Sequence, residues 1–477
     1  MRRATLCRGT GLTAALMALA GAAASAVAGP PAWSSPAGAS GADNVVRALA
    51  TADLDGDGPA RAELFVGGDF ATIAGVSAAR IARYNGSFWF PLGGGVNAPV
   101  RALAQWDADG PGPGPTLLIV GGDFTLAGAV PASRIAAWNG SGWSALGAGV
   151  AGRVSALASF DIDGAGPASA DLIAAGFFSS AGSVSASNIA RWDGAQWSPL
   201  DAGFDNEGLA LLSFDADGPG GASPLLYAAG WFGQAGSVDA ARVAVWNGAA
   251  WSALGAGLSG PFPAIGRCLA SFDPDGPGPA AEQLHVGGIF TVAGESPALG
   301  AARWDGAAWH PLAQGIGHPA DALAIAPFDD TPGDAAPPAL FFAGAFAPVV
   351  GAVALNFAGW DGAAWSASAG DVDRPVFALA AFDEDGPGPD SSGLYVGGNF
   401  LAAGPIAAVR LARWGPPRVT PLLCPDLSGD GAVNFPDLTL VLAAWGAASS
   451  PSDVTQDGVV NFQDLTAVLS AWGRICP

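Results

Sequence analysis

The chain has 477 residues, with 41 acidic against 19 basic residues, a formal net charge of −22, and no Lys among the basic residues. Such a balance repels a phosphate backbone, so no nucleic acid partner is expected, and it favours solubility and cation binding. Half of the residues are apolar, but Ala and the 71 Gly set the character of the chain, and no membrane span is expected.

Residues 1–28 read as a secretory signal. Arg2, Arg3 and Arg8 form the basic start, Gly11–Ala20 the apolar stretch, and Ala26-Val27-Ala28 the cleavage site. The expected location is therefore secreted or cell surface. Residues 29–418 are expected to form one repeat domain and residues 419–477 a second, small one.

The repeat domain carries a small-Gly-x-Phe tetrad whose Phe falls at Phe70, Phe124, Phe178, Phe232, Phe290, Phe346 and Phe400, in steps of 54, 54, 54, 58, 56 and 54 residues. An aromatic-x-Gly-x-x-Trp marker ends in Trp89, Trp143, Trp197, Trp251, Trp309 and Trp365. Each unit holds four short apolar or alternating runs between turn residues. In the second unit these are Val100–Trp106, Leu117–Gly121, Arg134–Trp138 and Trp143–Leu146, with Asn139-Gly140 as a tight hairpin signal. Four antiparallel strands at this period predict an all-β propeller, and seven copies predict seven four-stranded blades. The seventh unit stops at Trp414-Gly415 without its last strand. Ala32-Trp33-Ser34-Ser35, ahead of the first unit, supplies that strand and is predicted to close the ring beside Leu411–Trp414.

The unit resembles the kelch-type repeat in its apolar run ending in Gly67-Gly68, Gly121-Gly122, Gly287-Gly288 or Gly397-Gly398 and in its later spaced aromatics. Ala175, Ala229 and Ala343 replace the first Gly in the other copies, and Trp mostly stands where that family has Tyr.

After Gly415-Pro416-Pro417 a motif is duplicated at an offset of 27 residues, from Asp426 and from Asp453. Each copy carries oxygen ligands at the spacing of a twelve-residue calcium loop. The first set is Asp426, Ser428, Asp430, Ala432 through its carbonyl, Asn434 and Asp437. The second is Asp453, Thr455, Asp457, Val459 through its carbonyl, Asn461 and Asp464. Two Ca2+ ions are therefore expected in this domain, each on hard oxygens with three carboxylates to offset the charge. A helix should follow each loop, because Leu438, Val441, Leu442 and Trp445 recur at helical spacing, as do Leu465, Val468, Leu469 and Trp472. The two Trp-bearing faces are expected to pack on each other. Cys424 and Cys476 bracket the domain and are expected to form a disulfide in an exported protein.

A loop followed by one helix, duplicated at this spacing, resembles the type I dockerin module. The resemblance implies a small α-helical domain that binds two calcium ions and docks onto a protein partner, cohesin-like or another cell-surface component. Loop positions 10 and 11, which in that family include small hydroxyl contacts, are Phe435-Pro436 and Phe462-Gln463 here.

Within the repeat, the Asp-x-Asp-Gly segments at Asp107, Asp161, Asp215, Asp273 and Asp383 read as turns, with peripheral cation binding as the alternative. The repeated Trp and Phe read as packing between sheets rather than sugar platforms. Cys268, aligned with Ala102, Ala156, Ala322 and Ala378, reads as a small buried residue. The three His show no ligand spacing and no catalytic constellation is evident, so no catalytic residue and no organic cofactor are assigned. Asymmetric joints at Asp205-Asn206-Glu207, Pro261–Arg267 and His318–Asp321 are where a ligand would be met. The resulting expectation is a secreted, non-catalytic binding or scaffold protein, with a polysaccharide as a further candidate partner. A secreted carbohydrate-active enzyme with a catalytic propeller and a dockerin tether is the alternative.

Overall fold

A computed structural model describes residues 30–36, 41–54, 62–86, 89–107, 116–161, 170–215, 223–274, 282–317, 321–332, 338–346, 354–367, 371–384, 392–417, 427–428, 433–447, 452, 460, 465 and 468. The signal segment, Cys424 and Cys476 lie outside the described residues.

The strands form seven larger sheets and five small ribbons. In the first larger sheet the strands follow chain order: Val46–Ala52, Glu63–Gly68, Ile81–Tyr84 and Trp89–Pro91. The second repeats this with Val100–Trp106, Leu117–Gly122, Ile135–Trp138 and Trp143–Ala145, within a residue or so of the four predicted runs. The first strands of the remaining sheets are Val150–Phe160, Gly208–Phe214, Ile265–Phe272, Asp321–Phe328 and Val376–Phe382. Each first strand lies against the first strand of the next sheet, and Val376–Phe382 lies against Val46–Ala52. This cyclic stacking of twisted antiparallel sheets is a β-propeller.

The seventh sheet is completed from the other end of the chain. Ala32–Ser34 pairs antiparallel with Leu411–Gly415, and Trp33 sits opposite Trp414. That pair occupies the place held in the other sheets by Tyr84–Trp89, Trp138–Trp143, Trp192–Trp197, Trp246–Trp251, Trp304–Trp309 and Trp360–Trp365, each opposed across the third and fourth strands. The Trp33 and Trp414 rings are 5.3 Å apart, matching the 5.1–5.3 Å of the internal Trp pairs. The repeated aromatics are thus packing residues, as expected. Trp197, Trp309 and Trp365 also donate their indole N–H to Leu146, Leu254 and Leu312 carbonyls of the preceding repeat, at 2.9, 2.7 and 3.0 Å.

Seven apolar clusters lie between neighbouring sheets, and one of them joins Phe382, Tyr395 and Leu411 of the last sheet to Val46, Leu64 and Tyr84 of the first. The Gly-Gly pairs explain how the sheets come so close. A Cβ on Gly67 would lie 2.4 Å from Val100 of the next sheet, and one on Gly397 would lie 2.4 Å from Val46. Where Ala175 and Ala229 replace that first Gly, the facing residue is itself Gly208 or Gly266. In each of these contacts a Gly on one side meets the side chain on the other, which keeps a close-packed interface without overpacking.

One recurrent device was not legible in the apolar pattern. The residue before each third strand is left-handed: Arg80, Arg134, Asn188, Arg242, Gly300, Asn356 and Arg410 have φ between 63° and 75°. For a non-Gly residue this costs about 1–2 kcal/mol. Hydrogen bonds to the segment entering the next sheet offset it, as in Asn188 to the Phe204 carbonyl at 2.9 Å and Asn356 to the Val372 carbonyl at 2.8 Å. Arg410 reaches the Ala42 carbonyl at 2.9 Å and so ties the last sheet to the first.

The hairpin signalled by Asn139-Gly140 is present as a four-residue loop between Trp138 and Trp143, with the Asn139 side chain accepting the Ser141 and Gly142 amides. Two readings are corrected. The residue equivalent to Cys268 is Ala324, not Ala322. Both follow the extra residue of a bulge, and Cys268 opposes Gly287 as Ala324 opposes Ala343. In the C-terminal segment the helix α1 (Phe435–Ala443) forms after the first loop, but Trp445 is 49% exposed and Leu442 52% exposed. The core there is Val433, Val441, Val460 and Val468, with Leu438 and Leu465 against it. Equivalent positions of the two copies do meet, but through valines one turn away from the Trp.

Two predictions follow from this packing. Trp33→Ala removes one ring from the seam and should cost about 3–5 kcal/mol, lowering the thermal midpoint more than Trp143→Ala, whose ring is partly exposed; equal midpoints would contradict closure through Trp33. His285 is 2% exposed beneath Phe272, and burial pushes its pKa from 6.5 down to about 4. Folding therefore favours the neutral ring. Stability should be full above pH 6.5 and fall by up to about 3 kcal/mol as pH drops toward 4. His285→Gln should flatten that slope in urea midpoints measured from pH 7 to pH 4.

Candidate functional site

In a sheet of this order, the turns joining strands one to two and three to four lie at one end. The joints between sheets, the small ribbons and the Gly-x-Phe tetrads lie at the other. All the symmetry breaking described below falls at this second end.

Each first strand carries a β-bulge in the same place. The register slips between Val46 and Ala48, Val100 and Ala102, Val154 and Ala156, Gly208 and Ala210, Gly266 and Cys268, Ala322 and Ala324, and Val376 and Ala378. The extra residues are Arg47, Arg101, Ser155, Leu209, Arg267, Leu323 and Phe377. A bulge re-aims the side chain it releases, and all seven line one cavity of about 480 Å3 at the mouth of the ring. The backbone repeats sevenfold there, but the side chains do not.

The polar lining is built of ion pairs. Arg47 grips Asp69 through two hydrogen bonds of 2.7 and 2.6 Å. Arg101 Nε donates to Asp123 at 2.7 Å. Arg153 spans to the next sheet and holds Glu207 at 3.0 and 2.8 Å, while the Ser155 hydroxyl donates to the same carboxylate at 2.8 Å. Arg267 likewise reaches Asp321 of the following sheet at 3.1 Å. The bond to Asp69 holds the Arg47 guanidinium above its ordinary pKa despite burial. Burial pushes the Asp321 carboxyl up, and Arg267 opposes this only in part. The remaining arc is apolar: Leu209, Leu323, Ala345, Pro375 and Phe377, with Arg47 lying 5.7 Å from the Phe377 ring centre across the seam. Below the mouth the channel narrows to rings of Ala and Leu interrupted by Cys268. Burial raises that thiol well above its ordinary value, so it is a packing residue and not a nucleophile.

The third residue of the tetrad sits beside these bulges and varies around the ring as Asp69, Asp123, Phe177, Trp231, Ile289, Ala345 and Asn399. Phe177 is 57% exposed and pairs in register with Arg153. Trp231 is 44% exposed, and its amide donates to the Glu207 carbonyl at 2.9 Å. Two exposed aromatics are thus backbone neighbours of Arg153 and Glu207, outside the lining of the cavity itself. Of the asymmetric joints singled out in the sequence, Glu207, Arg267 and Asp321 line the mouth. The other six bulge residues and the two exposed rings went unnoticed there, although variation at one position of an otherwise strict tetrad was a visible signal.

Of the predicted calcium ligands, Ser428, Asn434 and Asp437 are described. Asp426, Asp430, Ala432, Asp453, Thr455, Asp457, Val459, Asn461 and Asp464 lie outside the described residues, as does the second Asp of each Asp-x-Asp-Gly segment. Asp437 is fully buried and accepts the Ser428 and Asn434 amides, both at 2.8 Å, which gathers loop positions 3, 9 and 12 around one carboxylate. Burial acts to raise the Asp437 pKa, but the amides of Asn434 and Ser428 outweigh it and the net shift is downward. An ionised Asp437 starts α1 through the return half of a capping box. Its oxygens keep further lone pairs, and among the described residues no group of three or more acidic, His or Cys side chains gathers around it.

A family described as a domain of unknown function (DUF5122) beta-propeller matches residues 63–87, the second and third strands of the first sheet. No curated protein matches the chain. Among solved structures it is similar to BBS1N, from a crystal structure of its complex with ARL6DN soaked with lead, at 14% identity over 80% of this chain and 95% of that one, with a TM-score of 0.40. It is also similar to the computationally designed Ika8 protein at 13% identity, over 80% of this chain and 98% of that one, with a TM-score of 0.41.

Proposed function

We propose that the protein is a secreted or cell-surface, non-catalytic binding or scaffold protein whose propeller meets its ligand at the ring mouth. The observation that carries this reading is the contrast at the bulges: one backbone position, repeated in seven sheets, bears Arg, Ser, Leu and Phe around a single cavity. Packing alone would keep the repeat uniform, whereas a ligand requires different groups in different directions. In this reading the seven larger sheets are seven kelch-like blades, and the small ribbons are the hairpins between their second and third strands. Among the described residues, each carboxylate of the mouth is engaged by a guanidinium, which favours recognition over acid–base catalysis.

The segment after Pro417 is proposed to be a dockerin-like module holding two Ca2+ ions on the two loops and docking to a protein partner. Its support is the duplicated ligand spacing, the shared valine core of the two copies and the Asp437 cap. Calcium would supply much of its folding energy, because so small a core is marginal alone.

Calorimetric titration of the mature chain with calcium should give two ions per chain, one in Asp430→Ala and one in Asp457→Ala. A stoichiometry unchanged by either substitution would overturn the assignment. Partner capture from the producing cell's envelope should require calcium and be lost in the double variant; capture insensitive to both would move attachment away from the tail.

A further inference from the structure

We propose that the mouth binds an uncharged oligosaccharide, held between the Phe177 and Trp231 rings and the Arg153–Glu207 pair. The inference rests on the mouth being the ligand-binding face and adds the chemical class of the ligand.

Charge decides between the ligand classes. Four guanidiniums line the mouth, and each is matched by a carboxylate of the protein: Asp69, Asp123, Glu207 and Asp321. The rim is therefore formally neutral, on a chain of net charge −22. A phosphate, a uronate or an acidic peptide would have to displace an internal carboxylate, held in two-point contact at Arg47 and Arg153 and by one bond at Arg101 and Arg267, against the field of the whole molecule. A cationic ligand would face the same four guanidiniums. A polyol needs neither. It needs donors and acceptors side by side, and the Arg153–Glu207–Ser155 group holds both together through three hydrogen bonds.

The rings supply the other half of sugar chemistry. The C–H faces of a pyranose are apolar and stack on aromatic rings, while its edge hydroxyls take hydrogen bonds. Phe177 and Trp231 are large and exposed at the edge of that cavity's lining, Phe177 opposite Arg153 in register and Trp231 bonded through its amide to the Glu207 carbonyl. Elsewhere in the ring the same position is Asp, Ile, Ala or Asn, so the two rings are not required by the repeat. The cavity of about 480 Å3 is within the range of roughly 300–1,000 Å3 usual for small-molecule sites. The opposite arc, with Leu323 and Phe377, gives a second apolar wall on which a chain of sugars could continue.

The test is calorimetric titration of the mature chain with neutral gluco-, xylo- and manno-oligosaccharides and with oligogalacturonate as the acidic counterpart. At least one neutral oligosaccharide should bind, with an affinity unchanged by added salt. Trp231→Ala and Glu207→Gln should each weaken it about tenfold or more, with thermal midpoints confirming that both variants fold. Tighter binding of oligogalacturonate, binding indifferent to both substitutions, or no binding of any neutral oligosaccharide at 10 mM, about the weakest useful affinity, would overturn the proposal. The same substitutions, placed in the Asp430→Ala/Asp457→Ala background and tested for capture from the secreted fraction so that the tail does not contribute, separate the two readings. Capture lost in the variants without any sugar binding keeps the mouth and discards the sugar; capture and sugar binding both unaffected discard the mouth.

Discussion

A ring of sheets has to close, and in this chain closure depends on two tryptophans that lie about 380 residues apart. Trp33 meets Trp414 across the seventh sheet in the geometry that neighbouring residues achieve in the other six. Without that pair the seventh sheet keeps an open edge, and the apolar cluster shared with the sixth sheet loses a wall. The seam is reinforced by a buried charge network. Arg413 is 1% exposed, bonds to Glu384 at 3.0 Å and to the Pro416 carbonyl at 2.8 Å, and fills space left by Gly393. The Tyr395 hydroxyl donates to the same Glu384 carboxylate. Buried pairs of this kind add little net stability but make misregistration costly, which suits the one sheet assembled from both ends of the chain.

Closure also explains the mouth. Each first strand faces the axis and each carries a bulge at the same height, so the ring gathers seven side chains that are distant in sequence into one cavity. The repeat fixes where they point and leaves open what they are. Selection for packing acts on the facing pairs, Gly67 with Val100 or Ala175 with Gly208. The bulge residues and the third tetrad residue stand outside those pairs, and they are the positions that vary around the ring. Framework and site thus share the same strands without sharing residues.

The period of the Phe and Trp markers was enough to read the strands, their order and the closing role of Trp33, because burial every second residue leaves a clear trace. The bulges left no such trace. A bulge adds one residue to one strand, and only the partner's register reveals it. For the same reason Cys268 was aligned with Ala322 in place of Ala324. The left-handed Arg80, Arg134 and Arg410 were opaque too, since Arg is an unusual choice for that conformation. In the tail the ligand spacing was plain, but the choice of core was not. Val441 and Trp445 share a helix face by periodicity, and only the contact with Val460 and Val468 shows that the smaller residue is the buried one.

The most direct test of the account is a crystal structure of the mature chain soaked with the neutral oligosaccharide that binds most tightly. The account predicts a pyranose stacked on Trp231 or Phe177, with its hydroxyls on Arg153 and Glu207 and the ring closed through Trp33. A sugar bound instead at the opposite end of the sheets, beside Asp107 or Asp161, would contradict it.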